Sequence, residues 1–329
     1  MSPYASPNDH RRYHYLELAN RLRVLLICDP ETDKSAASLA VNTGHFDDPV
    51  DRQGMAHFLE HMLFLGTRTY PKPGEYQQFM SRHGGSNNAW TGTEFTNFFF
   101  DIDNGFFEAG LDRFSQFFIC PTFAPEWVDK ERNAVDSEYR LKLQDDVRRS
   151  YQVHKETVNP AHPFSKFSVG NLDTLADLPG RDLRSDLIRF YESHYSADRM
   201  ALVMISPESI DTQLQWCCRY FAPILNRNLG IPTLTTPLYR LDDLGIRIRI
   251  NPVKETRKLA LTFPLPNVDE FYDKKPLTFL SHLIGYEGEG SLLSLLKARG
   301  WVNQLAAGGG ISGANFKDFG ISFGLTPLG

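Results

Sequence analysis

Three residues close together in the sequence have side chains that can bind a metal ion and move a proton. His57, Glu60 and His61 occupy positions i, i+3 and i+4 of a segment with a helical pattern, so they project from one helix face within ~100°. Two imidazoles at this spacing can both bind a tetrahedral zinc ion, and the glutamate can reach a water molecule on that ion. The order, H-x-x-E-H, therefore predicts a hydrolytic zinc site.

A catalytic zinc ion needs a third protein ligand, and the sequence offers two candidates. Glu131 and Glu138 lie seven residues apart in a long helical segment, on one face of it, and spacing cannot choose between them. The alternative is that the two histidines are ordinary buried residues and the glutamates are solvated. That alternative is weaker, because burying three polar groups beside Phe58 and Leu59 without a partner is costly.

The elements that must position these residues predict an α+β fold, with a mixed or antiparallel sheet packed against helices. Residues 21–29 and 35–46 are apolar and β-branched, and they predict two strands joined by a turn. Helical periodicity and breakers predict the remaining elements of this part: helices over 53–65, 73–83, 106–118 and 125–149, a hairpin over 86–91 and 94–102, and a strand over 200–205 flanked by helices.

The chain divides by composition and by an internal repeat. We predict a zinc-bearing catalytic domain over residues 1–225, a linker over 226–243, and a partial second homologous domain over 244–329. The second domain repeats the order strand, helix, helix, strand, strand, and has His282 where the first has His57. Only the first copy has the complete polar set. Because the chain stops at the end of a strand pattern, we expect an N-terminal fragment of a longer protein.

Composition excludes several classes of function. With 35 basic and 40 acidic residues, the chain lacks the basic character of a nucleic-acid-binding domain. Its apolar runs are shorter than the ~18 residues that a membrane span requires. Four scattered cysteines do not suit a disulfide framework and favour a cytoplasmic protein; a periplasmic protein whose signal peptide has been removed is the alternative.

Several motifs together resemble the insulinase/pitrilysin family of zinc metallopeptidases, the inverzincins. They are GMAHFLEHMLFLG at residues 54–66, HGGSNNA at 83–89, ERNAVDSE at 131–138 and NPAHPFSKF at 159–167. The resemblance runs from about residue 9 to the end of the chain. The run GYEGEGSLLSLLKARGWVN at 285–303 is similar to the insulysin branch rather than to the mitochondrial processing peptidases.

The resemblance implies one zinc ion per chain and a zinc-dependent endopeptidase that acts on small peptides. It implies that His57, His61 and Glu138 bind zinc, that Glu60 is the catalytic base, and that Glu131 supports the site from outside the metal shell. The alternative is a non-catalytic structural or substrate-presenting member of the same family, which would have lost a ligand or the base. A structural zinc site is disfavoured because no cysteine lies near the two histidines in the sequence.

Substrate binding is predicted at two places. Residues 86–91 are either an ordinary hairpin strand or an edge strand to which an extended peptide adds, and the resemblance, which assigns the substrate backbone to Asn88 and Ala89, favours the second. It also implies a second peptide-binding surface that includes Gly285, Gly288, Leu305 and Ala306. The glycines at 285–290 do not fit a phosphate-binding motif.

The resemblance also bears on partners. Insulysin-like relatives have four homologous domains in two halves that close around a chamber. The implied partners are therefore peptide substrates and the missing C-terminal half of the same chain, with a homodimer as a further assembly to test. Because that half would help to stabilise the transition state, we expect the 329-residue chain to bind zinc but to cleave peptides weakly.

Overall fold

The computed structural model describes residues 5–329, which form two compact units. The first unit comprises residues 5–141 and 166–232, and the second comprises 142–165 and 233–329. Residues 142–165, which the sequence analysis placed in the first domain, pack within the second unit instead. There Asn159 donates hydrogen bonds to the carbonyl oxygens of Pro237 and Leu238, and the ring of Phe164 packs against Phe316. The homologous domain boundaries stay a prediction.

A mixed six-stranded sheet forms the centre of the first unit. Its strands are β1 (Arg12–Glu17), β2 (Arg23–Cys28), β3 (Lys34–Val41), β4 (Ser86–Thr91), β5 (Thr96–Asp103) and β6 (Met200–Ser206), in the spatial order β1-β2-β6-β3-β5-β4. β6 lies between β2 and β3, parallel to the first and antiparallel to the second. The two strands that we predicted to be joined by a turn are thus not paired with each other. Neighbouring strands lie only ~4.8 Å apart, so the short connection can cross one strand.

Helices supply the rest of the first unit, and the fifth of the following helices belongs to the second. They are α1 (Met55–Leu63), α2 (Glu75–Arg82), α3 (Phe107–Ile119), α4 (Pro125–Lys142), α5 (Asp146–Glu156), α6 (Leu183–His194) and α7 (Ile210–Phe221). Aromatic side chains join the sheet to α3, where the ring centroids of Phe100 and Phe114 lie 5.2 Å apart. The predicted helix over 125–149 was wrong in its length, since it is divided into α4 and α5.

The second unit repeats part of this topology. It contains β7 (Lys258–Leu265), α8 (Pro276–Ile284), α9 (Leu292–Ala298), β8 (Val302–Gly313) and β9 (Phe316–Leu325), with the sheet order β7-β9-β8. This is the order of β3-β5-β4 in the first unit, with two helices in the same place along the chain. The repeat predicted from the sequence is therefore present as structure. Throughout residues 5–329, no helix is both long and apolar enough to span a membrane.

Candidate metal centre

The start of α1 is held by close packing of backbone against backbone. Gly54 precedes the helix with φ of +96°, a conformation that favours glycine. A Cβ atom added to Gly54 would lie 2.3 Å from the Cα atom of Gly170. Asp48 accepts hydrogen bonds from the backbone N–H groups of Gly54, at 2.7 Å, and Ala56, at 2.8 Å. These contacts hold the start of α1 in place without any contribution from the side chains of His57 and His61.

The donor atoms of three side chains converge in the first unit. The Nε2 atoms of His57 and His61 lie 3.2 Å apart, and Oε2 of Glu138 lies 3.6 Å from each of them. Ligand atoms bound to tetrahedral zinc at ~2.0–2.1 Å are ~3.3 Å from one another, so these residues fit a zinc ion. Among residues 5–329, no other three histidine, cysteine or acidic side chains converge in this way.

Each histidine ring is oriented by a hydrogen bond at its other nitrogen. Nδ1 of His57 donates to the backbone carbonyl of Val169 at 2.6 Å, and Nδ1 of His61 lies 2.6 Å from Oε1 of Glu131. Because a carbonyl oxygen only accepts, the proton of His57 is placed on Nδ1, and the lone pair of Nε2 is available to a metal. The two candidates for the third ligand therefore differ in the structure. Glu138 faces both Nε2 atoms, whereas Glu131 faces Nδ1 of His61 on the other edge of the ring.

The site has the electrostatic character of a cation-binding site. Burial lowers the pKa of His61, but hydrogen bonds to Glu131 and Glu138 outweigh burial and raise the pKa to about 9. A proton on His61 thus offsets one of the two carboxylate charges when no metal is bound. A divalent cation at the same place would balance both carboxylates and displace that proton.

Glu60 lies beside this cluster and is bound to the neighbouring strand. It is buried, and its Oε2 accepts a hydrogen bond of 2.5 Å from Oγ1 of Thr91, the last residue of β4. This bond restricts the orientation of the carboxylate. The sequence does not predict this contact, because Thr91 lies 31 residues from Glu60 and no motif links the two residues.

β4 is the outermost strand of the six-stranded sheet and pairs with β5. The prediction that residues 86–91 form an edge strand is confirmed. Asn88 and Ala89 lie in the middle of this strand, and Asn88 is exposed. Whether a peptide binds there stays a prediction. The edge nevertheless has the geometry that strand addition requires.

The residues predicted for the second peptide-binding surface lie in the second unit. Gly285 ends α8, and Gly288 lies against the ring of Tyr286. Ala306 is exposed on β8, but the side chain of Leu305 is buried in a small apolar cluster with Val302 and other residues. A contact from Leu305 to a ligand would therefore involve its backbone. The binding role of this surface stays a prediction.

Comparison with known proteins identifies relatives along nearly the whole chain. The profile described as Insulinase (Peptidase family M16) matches residues 23–161, and that described as Peptidase M16 inactive domain matches residues 182–328. The A-factor-processing enzyme of Saccharomyces cerevisiae is 43% identical over 324 residues, and the insulin-degrading enzyme of Homo sapiens is 45% identical over 327 residues. Both alignments cover 98% of this chain but only 32% of the relative.

A solved structure agrees with these relatives. The crystal structure of pitrilysin superimposes with a TM-score of 0.94 and 33% sequence identity, over 99% of this chain and 35% of that chain. The chain thus spans about a third of the length of the curated relatives it matches.

Proposed function

Because the chain belongs to the M16 insulinase family of zinc peptidases, we propose that it carries the catalytic site of a zinc-dependent endopeptidase that hydrolyses small peptides and short polypeptides. The observation that supports this most directly is the convergence of His57, His61 and Glu138 beside the buried carboxylate of Glu60. The names of two relatives, which specify insulin and A-factor, support a polypeptide as the substrate.

The three converging side chains would hold one zinc ion through Nε2 of His57, Nε2 of His61 and Oε2 of Glu138. When bound, zinc would lower the pKa of a water molecule and polarise the carbonyl group of the scissile peptide bond. The backbone carbonyl of Val169 and the carboxylate of Glu131 keep the two rings in the orientation that this requires.

Glu60 is the proposed general base and acid. It takes the proton of the attacking water molecule and passes it to the nitrogen of the leaving amine. Thr91 holds Oε2 of this carboxylate, so the group has one orientation as the proton moves. Because Thr91 belongs to β4, the base and the strand that would bind the substrate are held in register.

The outer edge of β4 is the proposed substrate site. An extended peptide that adds to Asn88 and Ala89 would be recognised through its backbone, since strand pairing uses main-chain hydrogen bonds. This mode of binding predicts weak dependence on the substrate's sequence. It also brings the peptide next to Thr91 and therefore next to Glu60.

The test is the Glu60→Gln substitution, which keeps the shape of the side chain and removes its basicity. We expect the variant to bind as much zinc as the wild type, while hydrolysis of an internally quenched peptide falls by at least ~100-fold. Glu192→Gln, on the exposed side of α6, serves as the matched control and should leave both measurements unchanged. Hydrolysis undiminished by Glu60→Gln would refute the proposed base. Zinc binding with no hydrolysis above the variant's rate would favour the non-catalytic alternative.

A further inference from the structure

The buried carboxylate of Asp48, which is outside the set of proposed metal ligands, accepts hydrogen bonds at the start of α1. Asp48 is only 1% exposed, and both of its carboxylate oxygens accept backbone N–H groups from the beginning of this helix. Ala56, one of the two donors, directly precedes His57 in the chain. The first N–H groups of a helix have no partner within the helix, so an outside acceptor decides where the helix begins.

A lysine ties the same segment to the loop that orients His57. Nζ of Lys166 donates to the backbone carbonyl oxygens of Phe46 and Asp48, each at 2.6 Å. Three residues further on, the carbonyl of Val169 accepts the Nδ1 proton of His57 at 2.6 Å. Asp48 therefore holds the backbone next to His57, and Lys166 holds the loop that receives the proton of its ring.

We propose that Asp48 and Lys166 are positioning residues of the metal site, which together fix the backbone position and the ring orientation of His57. This inference rests on the proposed role of His57 as a zinc ligand. Groups that orient a ligand from outside the metal shell raise metal affinity because the ligand is already in place before the metal binds. The affinity of the chain for zinc should therefore depend on both residues, although neither contacts the metal.

The number of acceptors at Asp48 explains which substitution is informative. A carboxylate offers two acceptor oxygens to the two N–H groups, whereas the amide of asparagine offers one acceptor and one donor group. Burial raises the pKa of Asp48 to about 7, so the charge itself is not favoured at this place. Asp48→Asn should consequently fold, because asparagine has the same shape and no buried charge. Its NH2 group, however, would face one of the backbone N–H groups at the start of α1, and two donors cannot form a hydrogen bond.

The experiment measures the dissociation constant for Zn²⁺ by competition with a chelator, on the 329-residue chain, and the thermal midpoint of the metal-free protein. Asp48→Asn and Lys166→Met are expected to raise the dissociation constant by ~10–100-fold. The matched control is Asp182→Asn. Asp182 also accepts two hydrogen bonds at a helix start, from the N–H and the hydroxyl of Ser185, but that helix is α6. The control should leave the dissociation constant within about twofold.

The outcomes separate this inference from the proposed function. Unchanged zinc affinity in both variants would overturn the inference, and so would a lower thermal midpoint with unchanged affinity, since that pattern belongs to a purely structural role. If Asp48→Asn does not fold, Lys166→Met decides the question by the same criterion. Failure of the wild-type chain to bind zinc would overturn the proposed ligands and the inference together, whereas normal zinc binding by both variants would overturn the inference alone.

Discussion

Two glutamates seven residues apart on α4 face opposite edges of one histidine ring, which supports different proposed roles for them. Glu131 meets Nδ1 of His61 at 2.6 Å, and Glu138 lies 3.6 Å from Nε2 of the same ring. Helical spacing places both carboxylates on one face and can go no further. The choice depends on the position of α1 against α4.

The two glutamates should differ in their effect on zinc binding. We predict that Glu138→Gln lowers zinc affinity by more than ~100-fold, because it alters a proposed ligand, and that Glu131→Gln lowers it by ~10–100-fold, because it alters only the partner of His61. Metal analysis of the purified variants after dialysis against a weak chelator would measure this. Equal zinc content in the two variants would refute the assignment.

Asp48 should make stability depend on pH in a defined direction. Burial raises the pKa of Asp48 from 3.8 to about 7 in the folded protein, so the folded state holds this proton more tightly than the unfolded state. Its contribution to the free energy of unfolding is therefore full below about pH 4 and is lost as the pH rises through about 7.

Comparison with Asp48→Asn isolates this contribution. The variant has no titrating group at residue 48, so we predict that its free energy of unfolding, compared with that of the metal-free wild type, rises with pH by roughly 3 kcal/mol between pH 5 and 8. Urea unfolding at several pH values would measure the difference. A difference that does not change with pH would contradict the raised pKa.

At the level of the element, α1 and α2 begin in the same way but in different surroundings. Gly54 and Gly74 precede them with φ of +96° and +79°. A Cβ atom at Gly54 would lie 2.3 Å from Gly170, whereas a Cβ atom at Gly74 would meet nothing within 4 Å. A side chain at Gly54 would therefore clash with the backbone of Gly170, whereas a side chain at Gly74 would meet no neighbouring atom.

Alanine at these two places should have unequal effects. Gly74→Ala should lower the free energy of unfolding by ~1 kcal/mol, from backbone strain alone. Gly54→Ala should lower it by more than ~3 kcal/mol and should also weaken zinc binding, since Gly170 or α1 must move. Urea unfolding and zinc titration of both variants would check this. Equal losses of stability would show that the contact with Gly170 is unimportant.

The division between α4 and α5 shows why the sequence predicted one helix there. The residues on both sides favour a helix, and the residues between them, 143–145, include neither glycine nor proline. In the structure, Asp145 accepts a hydrogen bond of 2.9 Å from the N–H of Arg148 and begins a new helix. The sequence contains this capping residue but does not show that the helix is divided there. The division matches the packing, because α5 lies in the second unit and nearly all of α4 in the first.

At the level of the whole molecule, one topology occurs twice, whereas residues 5–329 contain one candidate metal site. The orders β3-β5-β4 and β7-β9-β8 are the same, but in the second unit the residues that correspond to His57 and His61 of α1 are His282 and Tyr286. Residues 233–328 of the second unit lie within the region that matches the M16 inactive domain. This asymmetry agrees with the expected single zinc ion per chain.

The share of the relatives that this chain spans leads to a prediction about its activity. The chain aligns with 32% of the human insulin-degrading enzyme. We predict that the 329-residue chain binds one zinc ion and hydrolyses a quenched peptide slowly, although still faster than its Glu60→Gln variant, because the resemblance implies that other parts of such a protein help to stabilise the transition state. Steady-state rates of the two proteins would measure this. Rapid turnover by the wild-type chain alone would contradict the prediction.

The sequence by itself determined the features that depend on near neighbours along the chain. It placed His57, Glu60 and His61 on one helix face, predicted an α+β fold, and revealed the internal repeat. Periodicity suffices for these because each follows from the geometry of a single helix or strand.

Only the tertiary structure decided the features that depend on distant parts of the chain. In the structure, β6 lies between β2 and β3. Nδ1 of His57 donates to the carbonyl of Val169, 112 residues away, and Glu60 accepts a hydrogen bond from the hydroxyl of Thr91. Such contacts arise where elements pack, and a residue's own neighbours in the sequence carry no information about which distant element will lie against it.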